Sequence, residues 1–144
     1  ASVLRDSAFQ EVGGFSERLW LGGEEELLAL DLARFGWWMC WDEQMVAHHQ
    51  ASQVRDPRQR RRQGIRNTLW TAWLRRPVGG ALAHTRSVVR SLPVDRTSAL
   101  ALIEAVAGLP WVLEEHRTVP PHVEHGLRLL AAPREESSAR RYVG

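Results

Sequence analysis

At 144 residues and 16.4 kDa the chain can bury one ordinary core and hardly a second, and 44% hydrophobic with 25% charged residues is a globular rather than a disordered composition. A net charge of +2 is too small to argue for nucleic acid, and the single cysteine, Cys40, excludes an internal disulfide framework and suits a reducing compartment. No secretory signal pattern opens the chain and no apolar run approaches the ~20 residues of a membrane span, so a cytoplasmic protein is expected.

Asp6 and Ser7 are N-cap candidates for a short helix over 8–12, which Gly13 and Gly14 end by supplying left-handed geometry. An aromatic and apolar loop follows over 15–21. From Glu24 the pattern is helical, with Leu28, Leu32 and Phe35 at i, i+4 and i+7, acidic residues in the first turn, and Gly36 as the stop. The runs 37–41 and 45–48 are predicted strands around a turn at Asp42 and Glu43. Asp56 and Pro57 are placed as N-cap and N1 of a helix to about Leu74, ended by Pro77. Further helices are predicted over 78–91, 98–109 and 121–130, then a polar, disordered tail from 133. Trp70, Trp73 and Leu74 share one helix face, a packing stripe, and His116, His122 and His125 are read as surface residues.

All 19 basic residues are Arg, which a GC-rich coding sequence would explain, although Arg forks also bind phosphate and carboxylate in bidentate fashion. Arg55, Arg58, Arg60, Arg61, Arg62 and Arg66 form a basic run with Asn67 and Trp70 behind it. A solvated basic helix face is the bland account of it.

The stretch Gly13 to His49, GGFSERLWLGGEEELLALDLARFGWWMCWDEQMVAHH, resembles the acceptor-side half of family 2 glycosyltransferases. Their run reads roughly GGF-D-E-x-(aromatic)-x-x-GED-x-DL-x-x-R, then GW, PE-x-x-V and H-H. The resemblance implies an α/β, GT-A-like parent, of which 1–52 would be the C-terminal half of the catalytic domain, 53–132 a mostly helical extension and 133–144 the tail. This chain alone is expected to be predominantly α-helical with a few short strands. It further implies inverting sugar transfer from a nucleotide-diphosphate sugar to a glycan or lipid-linked acceptor, with a divalent metal (Mg or Mn) in the full-length parent.

Glu25 falls on the family's Asp position and is the candidate general base, with Glu24 the alternative if the register differs by one. An acidic first turn also complements the helix dipole and needs no catalytic role. Trp20 lies in the loop expected to stack on sugar faces. His48 and His49 point to opposite sides of a strand end, and His48 matches the residue near the diphosphate or its metal better. Arg66, in RN-x-x-W, continues the resemblance and could meet a pyrophosphate. No Asp-x-Asp occurs, so the chain alone is expected to be inactive. Peripheral contact with the inner face of a membrane and a homodimer, domain-swapped or tightly paired through an unpaired sheet edge, are further expectations; nucleic acid is not an expected partner. The rivals are a non-catalytic helical module binding a protein or membrane surface, and a small basic nucleic-acid binder.

Overall fold

In the computed structural model residues 2–48 and 56–136 are described. They form α1 (Asp6–Glu11), α2 (Glu24–Arg34), α3 (Pro57–Arg75), α4 (Val78–Ser91), α5 (Arg96–Ala107), α6 (Leu109–Glu114) and α7 (Pro121–Glu136), with no β-strand among them. The α3 helix begins where the sequence placed it: the Asp56 side chain accepts the Arg58 N–H, and Pro57 stands in the first turn, where no N–H is needed. Its Arg-rich first half runs along the surface, and its second half is the centre of the fold.

Ile65 and Leu69 of α3 pack with Val88 of α4 and with Ala101 and Ala105 of α5. Trp70 and Leu74 pack with Leu19, with Leu27 of α2 and with Val112 of α6, while Trp73 closes the side of that cluster. The predicted Trp70–Trp73–Leu74 stripe is therefore a core face. A third cluster joins Ala8 of α1 to Leu28 and Leu32 of α2, with Trp37 against it.

The α/β expectation is overturned, because neither predicted strand exists. Trp37 turns inward and donates its indole N–H to Glu11 Oε2 at 2.8 Å. Beyond it, residues 38–48 lie exposed, Trp38 at 91% and Trp41 at 89%. The turn at Asp42 does form, with the Gln44 N–H on Asp42 Oδ1 at 2.9 Å and the Met45 N–H on Asp42 O at 3.4 Å, but no ladder accompanies it. Aromatic and β-branched content reports fit to a pleated surface rather than a backbone preference, and two short runs without a third strand or a covering helix are at best marginal. The sheet edge expected to pair chains is likewise missing from the described residues.

Smaller departures have local causes. The α1 helix starts at Asp6, with Arg5 as N-cap and no capping side chain, so Asp6 acts through the dipole of the first turn. Phe35 is the C-cap of α2 and half exposed; Leu27 and Leu30 are buried beside Leu28 and Leu32 instead. His116 is half-buried, its Nδ1 against Trp73 O. The α7 helix runs on to Glu136, through the start of the predicted tail, and 137–144 lie outside the described residues.

The helix predicted over 98–109 breaks at Gly108 into α5 and α6. Pro110 has no N–H to continue α5, and the Trp70 indole N–H donates to the Ala105 carbonyl at 3.0 Å, satisfying a helix-end acceptor. The indole comes so close that a β-carbon on Gly108 would lie 2.4 Å from Trp70 Cζ2. Because that ring is rigid and wedged edge-on against Trp111, Gly108→Ala is expected to cost about 1–3 kcal/mol. A urea midpoint equal to that of the parent chain would contradict this account of the break.

Candidate functional site

The loop before α2 makes a tight reversal. The Leu21 N–H donates to Leu19 O at 2.7 Å across Trp20, a three-residue γ-type turn whose central residue has φ of +53°. Trp20 is the one described non-glycine residue with positive φ, and its side chain is 72% exposed. A bulky L-residue in the left-handed region costs on the order of 1–2 kcal/mol and persists only where its surroundings over-determine it. Gly22 and Gly23 follow at +86° and +94°, which glycine adopts freely, and Gly23 caps α2.

The surroundings that hold this turn come from α3. Asn67, fully buried, directs its amide nitrogen at three main-chain carbonyls: Leu19 O at 2.8 Å, Gly22 O at 2.6 Å and Leu21 O at 3.3 Å. Its Oδ1 accepts from Arg66 Nε at 3.0 Å, which orients the amide. Leu19, fully buried in the core cluster, anchors the other side of the loop. The fit is close, since a β-carbon on Gly23 would sit 3.3 Å from Asn67 Cβ. Asn67→Ala removes the side-chain donor that these carbonyls share, leaving Leu19 O with the Leu21 N–H alone, and is expected to cost about 1–3 kcal/mol. It should also speed exchange of the Leu21 amide, measured by hydrogen–deuterium exchange; protection equal to the parent's would show that the turn holds itself.

Past the turn the carboxylates of the first turn of α2 differ in setting. Glu24 is half-buried, with Oε2 shielded from solvent and no hydrogen-bond donor on it, whereas Glu25 and Glu26 are exposed. Farther along α2, Asp31 receives a two-pronged contact from Arg75, NH2 to Oδ2 at 2.9 Å and Nε to Oδ1, and thereby ties α2 to the end of α3.

Arg66 is held rather than free. Its guanidinium lies 4.4 Å from the Trp70 ring centroid and 3.7 Å from Glu104 Oε2. Burial lowers its pKa, the Glu104 charge opposes that shift and Arg62 adds to it; the group stays charged, as guanidinium does in proteins. Arg62 pairs with Glu104 at 3.3 Å and Arg61 with Asp95, so Arg61, Arg62 and Arg66 of the predicted basic run share two carboxylates within the fold. Arg62 Nε and Glu104 Oε2 lack hydrogen-bond geometry, yet these ion-pair distances place a counter-charge beside each.

Of the sequence-predicted residues, Trp20, Glu24 and Glu25 therefore sit on one clamped turn and helix start, and Arg66 is joined to them through Asn67. His48 is exposed in the irregular segment, no hydrogen bond or ion pair among the described residues joins it to α2, and His49 lies outside the described residues. Among the described residues no three His, Cys, Asp or Glu side chains gather to hold a metal, so His48 has no co-ligands there. Asn67 was visible in sequence only as a companion of the basic run; its polar side chain amid the apolar positions Ile65, Leu69 and Trp70 was the available signal. Comparison of the chain with models of known families, with curated proteins and with solved structures finds no match.

Proposed function

We propose that the chain is the acceptor-side portion of an inverting glycosyltransferase that moves a sugar from a nucleotide-diphosphate sugar to a glycan or lipid-linked acceptor. Glu25 is the general base on this reading, and Glu24 the alternative. An acceptor hydroxyl oxygen attacks the anomeric carbon of the donor, the bond from that carbon to the diphosphate breaks, and the carboxylate takes the hydroxyl proton as the new bond forms. The nucleoside diphosphate leaves with the bonding electrons, and the anomeric centre inverts.

The observation that carries the reading is Trp20: an exposed indole in a strained turn, clamped by a buried amide immediately before a helix start bearing three carboxylates. An indole face suits the C–H face of a pyranose, and a rigid turn lowers the ordering cost of binding. The exposed position of Glu25 allows an acceptor to reach it. The donor and any divalent cation are on this reading held outside the described residues, so the 144-residue chain should bind acceptor but transfer nothing.

Saturation-transfer NMR of this chain against a panel of oligosaccharides tests the acceptor site. Transfer to at least one glycan, abolished in Trp20→Ala with the fold intact, is the expected result. If no glycan takes up saturation, or if Trp20→Ala binds as the parent does, the acceptor-site reading fails and a non-catalytic helical module becomes the better account.

A further inference from the structure

The α4 helix is apolar on two sides, and only one of them is used by the fold. Ala81 and Val88 are buried, Val88 against α3 and α5. On the outer side Val78, Leu82 and Val89 stand exposed at spacings of four and seven residues, one continuous stripe roughly 17 Å long. Just past its end, at the tip of the turn into α5, Val94 is wholly exposed at 107%. Arg86 and Arg90 border the stripe and Arg96 follows the tip; all three are exposed, and none makes an ion pair or hydrogen bond among the described residues. The carboxylate of Asp95, next to Arg96 in the chain, is already taken by Arg61.

We propose that this surface, the outer face of α4 with the Val94 tip, docks on an anionic phospholipid bilayer. Cations flanking an exposed aliphatic stripe on a helix lying along the surface match an interfacial helix, whose apolar side enters the boundary between headgroups and acyl chains while its arginines meet lipid phosphates. A nucleic-acid backbone would use the arginines but gains little from Leu82, Val89 or Val94. The contact is peripheral, since no described helix is long and apolar enough to cross a membrane. The proposal stands independently of the carboxylate site, because it uses none of the residues there.

The test is co-sedimentation of the 144-residue chain with phosphatidylcholine vesicles containing or lacking phosphatidylglycerol, at fixed salt, alongside a binding titration on duplex DNA. One variant combines Leu82→Asp and Val94→Asp, and another Arg86→Glu and Arg90→Glu; all four positions are exposed, so melting should change little. Binding to the phosphatidylglycerol vesicles alone, weakened roughly tenfold or more in each variant, is the expected result. Absence of binding to the anionic vesicles overturns the proposal. So does an apolar-face variant that binds vesicles as the parent does, or duplex DNA bound more tightly than the vesicles and unaffected by the aspartates.

Discussion

Replacing Glu124 by alanine is expected to destabilise the chain by about 3–5 kcal/mol, the scale for leaving one member of a buried ion pair without its partner. Glu124 is 4% exposed, and both its oxygens are engaged by Arg76, Oε2 by Nε at 3.0 Å and Oε1 by NH2 at 2.9 Å. Arg76 is itself buried at the end of α3. Arg128, one turn along α7, adds a contact at 3.0 Å from a mostly exposed side chain and contributes much less. The start of α4 completes the lock, because a β-carbon on Gly80 would fall 2.5 Å from Glu124 Oε1. Three helices thus meet on one carboxylate. Removing it strands the Arg76 guanidinium, whereas Arg76→Met with Glu124→Leu removes both charges and should cost far less than the sum of the single changes.

The same carboxylate sets a pH dependence. Burial pushes the Glu124 carboxyl up, but the hydrogen bonds and charges of Arg76 and Arg128 together bring it below its ordinary value. The hydrogen bonds from Arg61 and the Ser98 backbone likewise hold Asp95 down to about 2. A folded-state pKa below the unfolded one gives stability that is present above the unfolded carboxylate value and is lost as pH falls through the folded one. Acid unfolding should therefore steepen below pH ~4. Urea denaturation at a series of pH values should show a flatter acid limb for Glu124→Leu with Arg76→Met than for the parent.

What could be read in the sequence was what short-range chemistry determines. Asp56 and Pro57 opened α3 where expected because a cap and a missing N–H act within one turn, and the Trp70–Trp73–Leu74 stripe became core because i, i+3 and i+4 share a face. The segment after Trp37 misled, since its aromatic content describes residues that suit a sheet, and the sheet requires partners the segment does not contain. The break at Gly108 depended on an indole arriving from α3, and the Glu124 lock joins residues 48 positions apart; neither leaves a periodic trace.

The candidate site divides along the same line. Trp20, Glu24 and Glu25 could be named from the order of residue types. The positive φ at Trp20 could not, because tryptophan has no preference for it and the conformation is imposed by Asn67, whose bond to Leu19 O spans 48 residues. Arg66 was expected to meet a pyrophosphate; its guanidinium rests between Trp70 and Glu104 while it steadies the amide beside it, a role the order of residue types did not show.

The central claim of the proposed function is that the carboxylate at the start of α2 takes the acceptor proton, and steady-state transfer kinetics of Glu25→Gln and Glu24→Gln in the longer transferase that this reading proposes test it most directly. Loss of a general base costs roughly 100-fold or more in turnover, so Glu25→Gln should lower kcat by that amount and leave donor affinity nearly unchanged. Gln keeps the volume and most of the hydrogen bonding, and Glu25 is exposed, so melting should not move. Activity retained in Glu25→Gln but abolished in Glu24→Gln would move the base by one residue. Near-full activity in both would contradict the account, and the acidic turn would then be a helix start complementing its dipole and nothing more.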